Sequence, residues 1–573
     1  MIRALRLASF LGLLVLVPIA CFFPGSLSPE DANARLREHA RSIVSRMPLE
    51  HKVGQLLHIG LVGRTPGARA LENIRVYHPG GVILFGMNLG TVPEIRTLTD
   101  GLQGAAIQDS GIPLLISTDQ EGGHVRRVGP EGTQQFPGAM ALGQTGDPDL
   151  VEQVGFVTGY ELRQLGINFV LAPVLDINNN PANPVINMRS LGTSPELVSR
   201  IGSAYLRGLR RSLSIPSIKH FPGHGDTNID SHLALPTIRR SPADLEQVEL
   251  VPFRRAISEG AEVVMTAHIL FPALDPDRPA TLSAPILQGL LRERLGFQGL
   301  IISDAMEMQA IARNWQRAVA ARLAFQAGVD ILLLTSEGAV VRQMYASLLS
   351  GFQNGDLSVA ELDRAVERQV YLKLQRGLFQ KHGSGLRVLD EELVAYLQER
   401  EHAATDEYNQ IQARDPVSLN TRVSRASIVS LRQAFDGVPP DERNRIFVLV
   451  RSGHMRDEAY RQGIPEANVI VWRRAYELYN ILRAPPDRHW LVEFGSTEVG
   501  AWNELVRRWE GRGGTRGLLV GLFPDNPFAS IHVPEHGAVL ISCSNTEQSL
   551  RALVYRSLRD APVKVADLAL DSH

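Results

Sequence analysis

One short segment of the chain carries an unusual density of side chains that can transfer protons. Between 219 and 232 these are His220, His224, Asp226, Asp230 and His232. Imidazole changes charge closest to neutral pH, and a nearby carboxylate can fix its tautomer and raise its basicity. Because Asp230 and His232 are two residues apart, their spacing predicts an acid/base pair.

A second reactive group is predicted at Asp304, which directly follows the apolar residues 299–303. A carboxylate at the end of a buried strand suits nucleophilic attack if nearby cations or hydrogen-bond donors keep it ionised. Arg189, Lys219 and His220 are the candidates for that stabilisation. These residues predict a site in which one group attacks and another transfers protons.

The elements that would position these groups are short apolar stretches alternating with helical periodicity, a pattern typical of βα units. Eight such units predict a (β/α)8 barrel. The predicted strands are 55–59, 81–85, 113–118, 168–172, 216–219, 263–267, 299–303 and 330–334. The clearest predicted helices are 149–165, 195–211, 245–259 and 309–327.

Polar side chains that could do chemistry fall at the carboxyl ends of these strands. They are Asp119, Lys219, His220, His268 and Asp304. The carboxyl ends of barrel strands meet at one face, and active sites of this fold are built there. The pattern therefore predicts an enzyme with a single pocket at that face.

Four segments are predicted along the chain. They are an export or anchor segment at 1–30, the barrel at 31–385, a helical linker at 386–418 and a smaller C-terminal α/β domain at 419–573. Strands of the C-terminal domain are predicted at 445–450, 469–472, 490–494, 517–521 and 538–542. Because their ends lack a cluster of acid, base and nucleophile, we interpret this domain as structural or as framing the substrate.

The N-terminus has the features of an export signal, with Arg3 and Arg6 before an apolar run at 7–20 that ends beside Cys21. Residues 16–21 resemble a bacterial lipoprotein box, so a lipid anchor at Cys21, a cleaved signal and an uncleaved membrane anchor are all open. Each of these places the protein in the periplasm or at the cell surface.

Composition excludes two classes of protein. The 59 Lys and Arg residues nearly cancel the 61 Asp and Glu residues, which argues against nucleic acid as a partner. Two cysteines, Cys21 and Cys543, cannot build a disulfide framework. Stability must therefore come from core packing.

The motifs at successive strand ends form an ordered set that resembles glycoside hydrolase family 3, in its β-N-acetylhexosaminidase branch. They are Asp-Gln-Glu-Gly-Gly at 119–123, Ala-Pro-Val-Leu-Asp at 172–176, Arg-Ser at 189–190, Lys-His-Phe-Pro-Gly-His-Gly at 219–225, Asp-Ser-His at 230–232 and Ser-Asp-Ala at 303–305. The resemblance covers nearly the whole barrel.

The resemblance implies a role for each matching residue. Asp304 would be the nucleophile that forms a covalent glycosyl-enzyme, and His232, oriented by Asp230, would be the acid/base. The residues implied in sugar binding are Asp119, Arg189, Lys219 and His220. No metal or organic cofactor is implied.

The chain departs from the family pattern just after residues 119–123. An arginine commonly follows there, but this chain has His124, with Arg126 and Arg127 nearby. The position of a sugar-binding arginine is therefore left unassigned.

The implied activity is removal of terminal β-linked N-acetylglucosamine from peptidoglycan fragments or chitooligosaccharides. Phosphorolysis of the same substrates is an alternative, since a histidine acid/base avoids charge repulsion with an anionic acceptor. A metal-dependent hydrolase is another, with the possible ligands His220, His224, Asp226 and His232. A glycan-binding protein without turnover is a third.

Overall fold

The structure is a computed structural model that describes residues 27–180, 182–381, 389–413, 418–430, 446–462, 464–472, 481, 488–494, 498–510, 519–523, 537–541, 549 and 553. The predicted export or anchor segment lies almost wholly outside these residues. Within them, no helix combines the length and apolar character needed to cross a bilayer.

The first domain is a barrel of eight parallel strands, so the predicted fold class is confirmed. In chain order the strands are β1 Leu57–Gly60, β2 Gly81–Ile83, β3 Leu115–Thr118, β4 Phe169–Val170, β5 Ile215–Phe221, β6 Val263–Thr266, β7 Leu300–Ile302 and β8 Leu332–Leu333. A parallel bridge between Ile302 and Ile331 joins β7 to β8 and closes the sheet. A short hairpin, Gln120–Gly122 with Val125–Arg126, follows β3.

Amphipathic helices surround the barrel and bury their apolar faces against it. The helix Pro195–Arg211 has the predicted bounds, because Ser194 caps its first turn and Pro195 fits the first helical position. The other helices of this domain are Pro29–Ser45, Leu49–Gln55, Ala68–Tyr77, Val92–Ser110, Ala139–Thr145, Pro148–Gln164, Pro242–Gln247, Leu250–Ser258, Pro285–Arg294, Gln309–Ala312, Arg317–Ala327, Ala339–Gln353, Val359–Gln375 and Leu378–Lys381.

Two predicted helices are broken in the structure. The first, 245–259, is divided into Pro242–Gln247 and Leu250–Ser258, because Pro252 has no N–H to continue one helix. The second, 309–327, is divided into Gln309–Ala312 and Arg317–Ala327. The first of these two helices, Gln309–Ala312, contacts the segment that carries His232. The carbonyl oxygen of His232 accepts from the Gln309 N–H at 3.4 Å.

The C-terminal domain is an α/β domain, as predicted, but its sheet has six strands where five were predicted. A helix, Glu391–Ala413, precedes it, followed by Leu419–Ala426. Its strands are β9 Val429–Ser430, β10 Ile446–Val450, β11 Val469–Val471, β12 His489–Glu493, β13 Leu519–Phe523 and β14 Gly537–Ile541, in the order β9-β14-β13-β12-β10-β11. All pairs are parallel except β9 with β14. Its described helices are Gly453–Arg461 and Val499–Glu510.

Glu493 lies at the switch point of this sheet. Open parallel sheets bind ligands at the carboxyl ends of two neighbouring strands whose connections run in opposite directions, and here these strands are β10 and β12. There the Glu493 carboxylate accepts the N–H groups of Arg451 and Ser452 at 2.6 and 2.9 Å. The apolar core of the domain also includes Met140 and Ala141 from the barrel, and Met188 packs against it. That the domain is structural or frames the substrate stays a prediction.

A fully buried lysine, Lys373, lies at the end of the barrel where the strands begin. Lys373 donates to the side-chain oxygen of Gln55 at 2.7 Å, and burial lowers its pKa well below the usual range. The unfolded chain binds a proton at this lysine below about pH 10, whereas the folded protein binds it only at much lower pH. The free energy of unfolding should therefore rise with pH between 7 and 10, by up to about 1.4 kcal/mol per pH unit from this group.

Replacing Lys373 by Met should remove that contribution. Urea unfolding between pH 7 and 10 should give a free energy of unfolding for Lys373→Met that rises less steeply than that of the wild type. Lys52→Met is the matched control, because Lys52 is another largely buried lysine that pairs with a carboxylate, Asp363, at 2.7 Å. Lys373→Met should flatten the slope more than Lys52→Met does. Parallel curves for the wild type and Lys373→Met would show that Lys373 is charged when folded.

Candidate active site

A cavity of about 650 Å³ opens at the carboxyl ends of the barrel strands. Six of the seven predicted site residues line it, namely Asp119, Arg189, Lys219, His220, His232 and Asp304. The seventh, Asp230, is bonded to His232. A second cavity of about 510 Å³ lies at the opposite end, between Pro29–Ser45 and Val359–Gln375, and none of the predicted residues line it.

Asp230 and His232 form the predicted pair. The carboxylate oxygen Oδ1 of Asp230 accepts both from the backbone N–H of His232 and from its ring Nδ1, each at 2.8 Å. Burial alone would raise the pKa of Asp230, but these two bonds from His232 lower it. The carboxylate therefore stays ionised and directs the other ring nitrogen of His232 away from itself. The His232 side chain is 60% exposed, so it can meet a substrate in the cavity.

Asp304 lies two residues beyond the end of β7, and its Oδ1 accepts the N–H of Ala305 at 2.7 Å. Burial would raise its pKa, but the nearby His220 and His268 rings and the Ala305 N–H lower it below the usual range. Asp304 is therefore an anion at neutral pH, which is the state that a nucleophile needs.

Three of the remaining predicted residues, Asp119, Arg189 and Lys219, belong to a network of opposite charges in the same cavity as Asp304. The Lys219 ammonium lies 3.0 Å from Asp119 Oδ1 and 2.6 Å from Glu121 Oε1. Arg189 makes two hydrogen bonds of 2.9 Å to the Glu121 carboxylate. Burial lowers the pKa of Lys219 and of Arg189, but the charges of Glu121 and Asp119 more than compensate, so both pKa values are raised.

Glu121 is a functional residue that sequence reasoning missed. It is buried, and although burial raises its pKa, Arg189 and Lys219 lower it far more. The buried Lys219 on β5 and the largely buried Arg189 in the loop after β4 need an anion between them, and Glu121 is the carboxylate two residues beyond Asp119. The need for an anion beside Lys219 and Arg189 was the sequence signal that could have identified Glu121.

Asp176 is the second residue whose role was missed. Its buried carboxylate accepts from the backbone N–H of His220 at 3.1 Å, from the ring Nδ1 of His220 at 2.7 Å and from the N–H of His224 at 2.7 Å. Burial would raise its pKa, but His220 lowers it. Asp176 therefore fixes the His220 ring with Nε2 as the nitrogen left for the cavity.

His268 holds the segment that follows the nucleophile. Its Nε2 lies 2.9 Å from the carbonyl oxygen of Ala305, which can only accept, so Nε2 carries the proton. Burial lowers the pKa of His268, whereas the charge of Asp304 opposes this shift. The ring Nδ1 of His268 lies 2.7 Å from the Thr281 hydroxyl.

The structure distinguishes the two arginines near the position where a sugar-binding arginine was left unassigned. Arg127 lines the cavity, and its guanidinium lies 3.7 Å from Asp119 Oδ2. Arg126 instead donates to the carbonyl oxygen of Gly123 at 2.6 Å. Arg127 is therefore the arginine of this segment that can reach a sugar beside Asp119.

The side chains proposed as metal ligands bond to different partners. His224 Nε2 lies 2.8 Å from Ser231 Oγ, and Asp226 pairs with Arg240 at 2.6 Å. Over the residues that the structure describes, no three or more His, Cys, Asp or Glu side chains are grouped so that they could hold a metal ion. The cluster is explained by these pairings, and chelation of the protein tests the alternative directly.

Replacing Asp176 by Asn should weaken catalysis, because an amide cannot accept all three N–H groups and leaves His220 unfixed. We expect kcat/KM for an aryl glycoside to fall by about 10- to 100-fold, as when a residue that orients a ligand is lost. Asp275→Asn is the matched control, since Asp275 is a buried carboxylate that accepts the N–H groups of Asp277 and Arg278 outside the cavity. Equal losses in both variants would mean that Asp176 serves stability alone.

Residues 48–372 match the family described as glycosyl hydrolase family 3, N-terminal domain. The chain belongs to glycosyl hydrolase family 3. The resemblance to this family and to its β-N-acetylhexosaminidase branch is thus confirmed. This family 3 hydrolase is 38% identical to β-hexosaminidase A of Pseudoalteromonas piscicida over 325 residues, 53% of this chain and 54% of that protein. The match spans about half the length of that relative.

Two further relatives cover both domains. The β-N-acetylglucosaminidase/β-glucosidase of Cellulomonas fimi is 31% identical over 483 residues, 81% of this family 3 hydrolase and 79% of that protein. A family 3 β-N-acetylglucosaminidase structure from Paenibacillus sp. str. FPU-7 superposes with a TM-score of 0.74 at 31% identity, over 91% of this chain and 99% of that one. The chain is therefore a glycoside hydrolase with the two-domain arrangement of that structure.

Proposed function

We propose that this protein is a retaining exo-glycosidase that hydrolyses terminal β-linked N-acetylglucosamine through a covalent glycosyl-enzyme. One observation carries the proposal: Asp304 and the His232 side chain line one cavity, and Asp230 orients that histidine. The relatives named as β-hexosaminidase and β-N-acetylglucosaminidase support this sugar as the substrate.

The other carboxylates of the cavity argue for histidine as the acid/base. Retaining glycosidases usually pair a nucleophile with a second carboxylate about 5 Å away. Here Asp119 is paired with Lys219. Glu307 accepts the backbone N–H groups of Thr335 and Ser336 at 3.0 Å. Both carboxylates are thus already engaged by these partners, whereas a general acid must bring a proton to the departing oxygen, and an imidazole such as that of His232 can carry one.

The reaction takes two steps. Asp304 attacks the anomeric carbon while His232 donates a proton to the departing oxygen, which leaves an α-linked glycosyl-enzyme. His232 then removes a proton from water as the water attacks, and the free carboxylate of Asp304 returns. Asp119, Arg189, Lys219 and His220 bind the sugar, and we add Arg127 to this set.

The substrates we propose are peptidoglycan fragments or chitooligosaccharides, with the protein exported and attached at Cys21 or released. The apolar run at 7–20 supports export. Fractionation of cells that express the full chain, compared with cells that express Cys21→Ser, tests whether the protein is attached to the membrane. Loss of membrane association in Cys21→Ser alone would indicate a lipid anchor, and equal partition would argue against one.

The first experiment is release of p-nitrophenol from its β-N-acetylglucosaminide and its β-glucoside, with and without EDTA. We expect preference for the acetamido sugar, no effect of EDTA, and the β-anomer as the first product in a proton NMR time course. Loss of activity with EDTA would support the metal alternative instead, and an α-anomer would exclude a retaining mechanism. Binding without product would identify a glycan-binding protein. Formation of a sugar 1-phosphate in phosphate buffer would identify a phosphorylase.

A further inference from the structure

The acid/base loop, residues 227–234, is buried at only two positions. Asn228, Ile229, His232 and Leu233 are exposed, with Leu233 at 64%. Thr227, at the start of the loop, is buried, and its hydroxyl bonds to Ile229 within the loop. Ser231 is 1% exposed although it stands between the two catalytic residues of the loop. A serine gains little from burial itself, so its hydrogen bond must account for its position.

Ser231 bonds to a histidine that the barrel holds rigidly. Its hydroxyl lies 2.8 Å from Nε2 of His224, which is also 1% exposed. The backbone N–H of His224 donates to Asp176, and its carbonyl oxygen accepts from Asn183 at 2.9 Å. At Gly225 a Cβ would lie 1.7 Å from the backbone oxygen of Ile177. The backbone after His224 is therefore packed directly against the backbone at Ile177.

Other contacts hold the acid/base loop only weakly. Within the part of the chain that the structure describes, Ser231 is the one loop side chain with a hydrogen bond to a residue outside the loop. The backbone carbonyls of Ser231 and His232 accept from Ala310 and Gln309, both at the long distance of 3.4 Å. The hydrogen bonds of Asp230 go to His232, Leu233 and Ala234, all within the loop.

We propose that Ser231 is a positioning residue whose hydrogen bond to His224 holds the acid/base loop with His232 over the cavity. The inference rests on the proposed role of His232 as acid/base. Without the bond, the buried His224 nitrogen loses its partner and the loop spends less time with His232 in place. The sugar is bound by other residues, so the chemical step should suffer and binding should not.

Kinetics of four variants test this proposal. Ser231→Ala should lower kcat for the aryl β-N-acetylglucosaminide by about 10- to 100-fold and leave KM within about threefold. Ser231→Ala combined with His232→Ala should be no slower than His232→Ala alone, because there is then no acid/base to position. Asn228→Ala, an exposed change in the same loop, is the matched control and should match the wild type.

Hydrogen exchange tests the loop without relying on turnover. In Ser231→Ala the amides of 230–233 should exchange at least about tenfold faster than in the wild type, while those of the barrel strands are unchanged. Unchanged exchange together with unchanged kcat would overturn the proposal, and so would a further loss when Ser231→Ala is added to His232→Ala. A wild-type protein that cleaves no hexosaminide would refute the proposed function, while the exchange data would still decide whether Ser231 holds the loop.

Discussion

Replacing Asp304 by Ala is expected to lower kcat for an aryl β-N-acetylglucosaminide by about 10⁴-fold, the scale seen when one member of a catalytic set is removed. In the proposed mechanism the Asp304 carboxylate is the group that bonds to the anomeric carbon, and its neighbours lower its pKa so that it is ionised. Without it, water must attack a sugar whose departing group lies on the opposite face. A loss of this size corresponds to about 5 kcal/mol of the activation barrier.

Azide distinguishes a missing nucleophile from a damaged site. In Asp304→Ala this small anion can enter the space of the lost carboxylate and attack from the same face, so the product should be the α-glycosyl azide. A β-glycosyl azide would indicate that the acetamido group of the substrate, and not Asp304, attacks first. Glu307→Gln is the matched control, because Glu307 is a carboxylate of the same cavity that holds a backbone turn. It should retain most of the wild-type rate.

The sequence indicated the proposed catalytic groups because each of them lies next to a local sequence pattern. Asp304 ends an apolar strand, and Asp230 and His232 lie two residues apart, so short-range patterns were enough. The barrel followed from the same periodicity, since parallel strands buried on both faces appear as continuous apolar runs. Eight predicted strands also implied that the sheet closes, and in the structure the bridge between Ile302 and Ile331 closes it.

The groups that support the catalytic residues could not be predicted in this way. Glu121 and Asp176 bond to residues that are distant in the chain, with Asp176 and His220 separated by 44 positions and Glu121 and Arg189 by 68. Such partners become neighbours only when the barrel closes. The sequence shows that Glu121 and Asp176 carry charge, but their bonding partners depend on which strands are neighbours in the barrel.

The same limit applies to the interface between the two domains. Nothing in the periodicity of 139–145 distinguishes a helix that faces solvent from one that joins a second core. In the structure Met140 and Ala141 pack into the core of the C-terminal domain, and Met188, next to Arg189, packs against it as well. The second domain therefore lies against the segment that carries a predicted sugar-binding residue, which composition alone did not reveal.

Replacing His232 by Ala is expected to have an effect that depends on the leaving group. For a substrate whose departing group is another sugar, the loss of the general acid should lower the rate by about 10²- to 10⁴-fold. A dinitrophenyl group departs without a proton, so its cleavage should stay fast while the second step, which needs a base, becomes slow. The covalent intermediate on Asp304 should then accumulate, giving a burst of dinitrophenol and a mass increase of one sugar on the protein.

Azide gives the complementary result in His232→Ala. As an anion it needs no base, so it should speed the slow second step and yield the β-glycosyl azide, the opposite anomer to the product of Asp304→Ala. Asp230→Ala should fall between the wild type and His232→Ala, because the histidine remains but loses the carboxylate that orients it at 2.8 Å. If His232→Ala lost equal activity on both kinds of substrate and showed no burst, the histidine would be acting in sugar binding. The two azide products together would thus assign one face of the sugar to Asp304 and the other to His232.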